Sequence, residues 1–286
     1  MENPSTSALN LRQSMVNMAN KFIHLRKFLT TMKNRLFLFF AAAVMAMSCG
    51  GRSYDVEIIP IQDNAKPRLM ARALFSDAPD SIFESLGLQE GIPSSVCAFL
   101  VKVDGKNILF DAANGAPDSR LMHVMDSCGV AQDAVDYIFI THMHGDHIGG
   151  LMKDGKPAFP NAELYINKVE YDSWMAKPQE SLLAMAKAYD GRLKTFAVSD
   201  PLPCGVEAIE AYGHTAGHTV YKVGDNLIVG DIMHGVALQL EHPQYCARFD
   251  SDHEQSVRTR KEILQLGKDN GLRLYGMHFP APYFIQ

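Results

Sequence analysis

The sequence predicts an α/β fold in which two sheets are packed between helical layers. Three observations carry that prediction. Short apolar strands alternate with helical patterns along the chain; hairpin signals centred on Asp104-Gly105-Lys106 and Gly224-Asp225-Asn226 fall in its two halves; and a dense run of His and Asp directly follows one strand. Two strand-rich halves, each punctuated by helices, must each cover a sheet face with helix. At 286 residues and 47% hydrophobic, the chain is long enough to bury such a core in one domain.

Residues 1–48 read as a signal segment rather than as part of the fold, with Met32 opening its better-formed portion. Lys33 and Arg35 precede the apolar run from Leu36 to Met47, and Ser48-Cys49-Gly50-Gly51 follows. That run is short for a bilayer span. The pattern resembles a bacterial lipoprotein signal, with Met47 the departure from the usual lipobox. Its implication is a lipid on Cys49, residues 49–54 as a tether, and a domain over residues 55–286 exported to a periplasmic or surface-facing membrane. The first 48 residues hold six Lys/Arg against one Glu, leaving 21 basic and 31 acidic residues beyond them. An acidic domain without a basic stripe excludes a nucleic-acid partner and leaves a small-molecule substrate. Besides Cys49, the widely spaced Cys97, Cys128, Cys204 and Cys246 contain no CxxC and read as buried thiols.

Val56 to Ile61 predicts a first strand and Leu69 to Leu74 a second. Ser76 to Ser94 is loop by composition, with a short helix near Ile82 to Leu86. Cys97–Val103 and Asn107–Phe110 form the first hairpin. Ser119 to Cys128 has helical spacing and Gly129 as its stop. Val135 to Ile140 is the strand that runs into the His/Asp stretch, after which Ile148 to Met152 predicts the start of a helix. Glu163–Ile166 is a strand, Val169–Met175 and Ser181–Tyr189 are helices, and Leu193–Val198 and Val206–Tyr212 are strands. Thr219–Val223 and Leu227–Val229 make the second hairpin. Asp252 to Leu266 predicts a long helix, and Leu272 to Met277 a last strand.

The stretch His142-Met143-His144-Gly145-Asp146-His147 packs three imidazoles and a carboxylate into six positions. Alternation in an extended segment sends His142 and His144 to one side and Met143 to the other, and Gly145 permits a turn that aims Asp146 and His147 at a neighbouring point. One segment thus offers ligands to two metals. His218, between two predicted strands, Asp231, ending Leu227-Ile228-Val229-Gly230-Asp231, and His278, ending the last strand, add donors at strand ends.

These seven positions, in this order, resemble the metallo-β-lactamase superfamily, whose fold is a four-layer αβ/βα sandwich with its site on one edge. By that likeness His142, His144 and His218 hold one divalent ion, Asp146, His147 and His278 hold a second, and Asp231 bridges them. Zinc is the expected metal, with manganese, iron and cobalt also suited to such donors. Redox di-iron members place Glu where His144 stands, and true β-lactamases lack the combination of His147 with Asp231. Within the superfamily, Ser94–Val101, Asp154–Ala162, His242-Pro243, Phe249–Asp252, Arg258–Arg260 and His278-Phe279-Pro280 are similar to the methyl parathion hydrolase and lactonase-like branch. Asp111-Ala112-Ala113 departs from that branch's usual Asp-Thr-Gly.

The resulting expectation is hydrolysis of an ester, lactone or phosphotriester by a hydroxide shared between two cations, with Asp146 or Asp231 passing a proton to the leaving group. Thioester hydrolysis by the same site, or a metal- or ligand-binding lipoprotein without turnover, are the alternatives. His214 and His234 read as orienting or structural residues; His24, His123, His242 and His253 as surface or packing residues. Asp111 either orients a histidine or stabilises its own turn. Phe75, Phe83, Tyr171, Trp174 and Phe279 are candidate pocket walls by position alone and read first as core.

Overall fold

Period-two alternation sorts the strand residues between two cores, and this places the sheets. The computed structural model describes residues 55–286; the signal segment, the tether and Cys49 lie outside the described residues. The strands are β1 Glu57–Gln62, β2 Arg68–Met70, β3 Ile92–Ser94, β4 Cys97–Val103, β5 Lys106–Phe110, β6 Tyr137–Ile140, β7 Met152–Lys153 and β8 Lys156–Pro157. They continue as β9 Glu163–Asn167, β10 Leu193–Phe196, β11 Glu207–Glu210, β12 Thr219–Val223, β13 Asn226–Gly230, β14 Arg273–Gly276 and β15 Phe284–Ile285. The helices are α1 Asp80–Ser85, α2 Leu121–Ser127, α3 Gly145–Ile148, α4 Lys168–Met175, α5 Glu180–Ala188, α6 Val236–Gln239 and α7 His253–Asn270.

A six-stranded sheet has the order β1-β4-β5-β6-β9-β10 and a five-stranded sheet the order β11-β12-β13-β14-β15. Along β4, Ala98 and Leu100 turn to a core shared with Leu121 of α2 and Leu182 and Met185 of α5. Cys97, Phe99, Val101 and Val103 turn instead to a second core with Tyr221, Ile228 and Tyr275 of the other sheet. β13 sorts the same way, with Ile228 between the sheets and Leu227 and Val229 beneath Ile263 of α7. Helix, sheet, sheet, helix is the four-layer sandwich expected. Phe110, Phe139 and Tyr165 stack through its middle at centroid spacings of 5.4 and 5.0 Å.

β5, β6, β9 and β10 run parallel, as do β13 and β14. Their carboxyl ends therefore gather on one edge of the sandwich, the position at which open α/β sheets present ligand-binding loops. β5 releases Asp111 there, β6 Thr141, β13 Asp231 and β14 Met277.

Several elements differ from expectation. The helix predicted from Ile148 begins at Gly145, inside the His/Asp stretch, and passes into a 3-10 turn at Gly149–Leu151. The second strand stops at Met70 and gives way to a 3-10 turn at Arg72–Leu74. β3 occupies the end of the presumed loop, and β15 adds an edge strand. Each is two to four residues long, too short to display a period. The long helix runs on to Asn270, with the Asp252 side chain accepting from Gln255 N–H at 2.9 Å and Gly271 in the left-handed conformation ending it.

Candidate metal centre

β6 ends at Ile140 and the chain leaves the sheet extended through His144. Met143 is buried in the core beneath α2 and α5, which turns His142 and His144 to the opposite side. Gly145 then opens α3, whose single turn carries Asp146 and buried His147. His142 Nε2 lies 2.8 Å from His144 Nδ1, and the two rings meet edge to face. On the other strand ends, Asp231 follows Gly230, whose φ is +53°. A Cβ at Gly230 would stand 2.6 Å from His218 Nε2 and 2.9 Å from the Thr141 side chain, so the close approach of these loops requires glycine.

The third imidazole beside His142 and His144 is that of His214, not the expected His218. His214 Nε2 lies 3.1 Å from His142 Nε2, 3.0 Å from His144 Nδ1 and 3.5 Å from Asp231 Oδ2. Its direction is set from behind, where Nδ1 pairs with Asp250 Oδ1 at 2.9 Å and Arg260 holds the second oxygen of that carboxylate at 3.2 Å. His218 is fully buried with its Nε2 accepting the Asp231 N–H at 3.0 Å, so that nitrogen is turned into the β12–β13 junction.

Asp146, His147 and His278 form a second group. Asp231 stands between the two groups. Its Oδ1 is 3.3 Å from His147 Nε2, and its Oδ2 is 3.2 Å from His278 Nε2 and 3.8 Å from His142 Nε2. Six of the seven predicted residues are thus brought together, with His214 completing the first group. His234, expected to be structural, also faces this carboxylate at 3.2 Å and stacks on His278 with centroids 5.2 Å apart. Proximity to Asp231 in a Gly-Asp-Ile-Met-His run was its only sequence signal.

Charge is sorted across the site. Burial, reinforced by neighbouring imidazoles, holds His142 well below the usual histidine range and His144 at about 4. Burial and His214 hold His218 at about 3. Asp231 is held well below the usual carboxylate range: burial opposes its charge, but His278, His147 and His234 outweigh it. For His147, burial is overcome by Asp231 and Asp111, and its affinity for a proton is raised.

Asp111 orients a histidine and stabilises its own loop. Its Oδ2 lies 2.8 Å from His147 Nδ1 and accepts the Thr141 hydroxyl at 2.8 Å, while Oδ1 accepts the Thr141 N–H at 2.8 Å. Glu170, which sequence reasoning passed over, is wholly buried and receives four donors. Oε1 accepts from Met143 N–H and Trp174 Nε1–H at 2.9 and 2.7 Å; Oε2 accepts from the Thr215 hydroxyl and Gly217 N–H at 2.7 and 2.9 Å. One carboxylate therefore ties the segment bearing His142 and His144 to the loop bearing His214. Trp174 is placed edge-on to His144, with centroids 5.6 Å apart, whereas Phe75, Phe83 and Phe279 are core. Cys97, Cys128, Cys204 and Cys246 are free thiols, and Cys97 and Cys246 are the buried ones.

The donor set suits divalent cations. Three ring nitrogens meet within 3.1 Å, close to the spacing of about 3.3 Å that tetrahedral ligands about 2.0 Å from a zinc ion require. Three ring nitrogens cannot all satisfy one another at a single point by sharing protons. His147 Nε2 and Asp231 Oδ1 are buried 3.3 Å from one another, and neither makes a well-aligned hydrogen bond to any group. A cation answers both observations.

Solved structures share the fold, and sequences of known proteins share part of the chain. A hydrolase of the beta-lactamase superfamily, AbOPH, superposes with a TM-score of 0.72 at 27% identity, over 82% of this chain and 90% of its own. AidC, a dizinc quorum-quenching lactonase, gives 0.71 at 25% identity, over 80% and 90%. A hydroxyacylglutathione hydrolase of Shewanella denitrificans is 31% identical over 42% of this chain and 45% of its own length. An N-acyl homoserine lactonase of a Bacillus species is 25% identical over 53% and 60%. The chain spans about half the length of the curated relatives it matches. Residues 91–270, the span that contains β3 through α7 and all of these donors but His278, match the metallo-beta-lactamase superfamily, and the chain belongs to that superfamily of hydrolases.

Proposed function

We propose that the protein is a dinuclear metal-dependent hydrolase of the methyl parathion hydrolase and lactonase-like branch, cleaving an ester, lactone or phosphotriester. The observation that carries this reading is the convergence of two His/Asp groups, joined by Asp231, on one cavity of about 260 Å³. His142, His144 and His214 would hold one ion and Asp146, His147 and His278 the other, with Asp231 shared. Zinc suits imidazole and carboxylate best. Bound there, two divalent cations supply Lewis acidity, bringing a water's pKa from 15.7 toward about 7 and polarising the oxygen of the bond under attack.

The chain's own groups do the remainder. Asp111 holds His147 by Nδ1 and so commits Nε2 to the site. Asp231, 2% exposed, stays ionised among imidazoles, while the Asp146 side chain is 30% exposed and lines the cavity. Asp146 is therefore the carboxylate able to reach a leaving group and deliver a proton from its oxygen. The match to hydroxyacylglutathione hydrolases supports a second reading, in which the bond is a thioester.

Metal analysis followed by lactone, aryl ester, thioester and organophosphate panels tests the reading. Two metals per chain are expected, with kcat/KM falling at least about a hundredfold in His144→Ala and Asp231→Ala. Undiminished turnover in both variants would sink the site, and two metals without turnover would favour a binding protein. The export signal leads to a companion proposal, a lipid on Cys49. Wild-type protein expressed in a bacterium should partition into detergent and Cys49→Ser should not; equal partitioning would remove the anchor.

A further inference from the structure

We propose that the site accepts substrates carrying an anionic group, a carboxylate or phosphate, apart from the bond that is cleaved, and that Arg68 is the residue that reads it. The inference rests on the hydrolase reading and adds a substrate class to it. β2 overhangs the His/Asp groups. Arg68 and Met70, two apart on one face of that strand, line the cavity with Asp146, Asp231, Phe249 and His278. Leu69, between them, faces outward and is 54% exposed. The same register buries Met70 at 2% exposure in the cluster with Phe75, Phe83 and Ile92, so Arg68 is carried inward on the face that Met70 anchors.

The register of this strand is fixed by the site itself. Arg68 pairs with Ser94 across the β2–β3 ladder. Ser94 Oγ donates to the His278 carbonyl at 3.3 Å, and the Ser95 carbonyl lies 2.8 Å from His278 Nδ1. Ser95 Oγ reaches the Met277 and Phe279 carbonyls at 3.0 and 2.6 Å. A one-residue slip of β2 would turn Arg68 away from the cavity and Leu69 into it. The hairpin is tied to the backbone around His278, so the arginine is held at a set position over the metal-binding groups.

Arg68 has no counter-ion among the described residues. No carboxylate oxygen lies within 4.0 Å of its guanidinium, although Asp146 and Asp231 line the same cavity. Those two carboxylates are engaged by His147 and His278. Other arginines nearby have carboxylate partners: Arg72 pairs with Asp80, and Arg260 donates to Asp250 and to the carbonyls of Ile232, Pro243 and Tyr245. Arg68 is part-buried, and a guanidinium in such a place gains most from a planar oxyanion that accepts two of its N–H groups. Met70 and Phe249 give the apolar wall along which a short linker would run from that anion to the scissile bond.

Aryl esters of glutarate test the idea: the anionic hemiester, its neutral methyl ester, and an analogue ending in phosphate. The zinc-loaded wild type is expected to prefer the two anionic esters by about tenfold or more in kcat/KM. Arg68→Met should abolish that preference while leaving the neutral ester within about twofold, and Arg68→Lys should keep part of it. Preference for only one anionic ester assigns the carboxylate or the phosphate as the group read. Calorimetric binding of the corresponding anionic and neutral anilides to wild type and Arg68→Met gives the same comparison without turnover. Turnover of the neutral ester that survives Arg68→Met leaves the hydrolase reading standing whatever becomes of Arg68. Equal handling of anionic and neutral ligands by the wild type, or an equal loss for both in Arg68→Met, overturns the proposal.

Discussion

Asp231 reaches five imidazoles with two oxygens: His147 through Oδ1, and His142, His214, His234 and His278 through Oδ2. An ionised carboxylate so placed would be costly to bury alone, and its surroundings supply the compensation. The imidazoles around it divide according to what stands behind them. His147 is backed by Asp111 and His214 by Asp250, so both present Nε2 to the site, whereas His218 spends its Nε2 on a backbone N–H. His214→Ala should therefore remove about one of two bound metals. His218→Ala should keep both and lower stability by about 2–4 kcal/mol through loss of a buried ring and its hydrogen bond. Metal stoichiometry after dialysis and denaturant unfolding separate the two variants; loss of metal in His218→Ala alone would reverse the assignment. This distinction was not legible in the sequence. Gly213-His214-Thr215-Ala216-Gly217-His218 offers two histidines in one loop, and the carboxylate that aims one of them is 36 residues away. His142 and His144 were legible, because alternation beside a core-facing Met143 leaves them one direction to point.

Among the helices, α3 is one of the two shortest. Four residues make one turn, too short to persist without tertiary support. Support comes from the loop after β5. Ala112 N–H donates to the His147 carbonyl at 2.7 Å, and Gly150 N–H donates to the Ala112 carbonyl at 3.1 Å. The approach is so close that a Cβ on Gly149 would lie 2.1 Å from the Asn114 carbonyl oxygen. Gly149→Ala should thus push α3 from its loop, costing about 1–3 kcal/mol in denaturant unfolding. It should also weaken metal binding at Asp146 and His147 before that at His142 and His144. Wild-type stability and stoichiometry in this variant would show that the turn is held by other means. The same contact explains why the helix was placed late from sequence. Its first turn is His/Asp motif with no apolar stripe, and what makes it helical is a backbone contact with residues more than 30 positions earlier. β4, β6 and β13 were legible because each shows its two faces to two different cores.

At the scale of the whole molecule, the sandwich brings the carboxyl ends of β5, β6, β13 and β14 to one edge, and a cluster of buried histidines is the result of closing the two sheets over them. That closure has a measurable dependence on pH in metal-free protein. His144 and His218 bind protons near pH 4 and pH 3 when folded, against an ordinary value of 6.5, because burial disfavours their charged forms. The unfolded chain therefore takes up protons first, and stability falls as pH drops below 6.5. Each such imidazole contributes up to about 1.4 kcal/mol per pH unit. Groups shifted the other way do not cancel this between pH 6 and 4. His147 and His278 are raised, so their contribution is fully present below the unfolded value and is lost only at higher pH. Asp231 is lowered, so its contribution is lost only below the ordinary carboxylate value of 3.8. Urea unfolding at pH 6.5, 5.5 and 4.5 should show a steep loss of stability, shallower in His144→Gln by about the slope of one imidazole. A flat profile over that interval would mean that these rings are not held neutral by the fold, and that the site is open to water before any metal arrives.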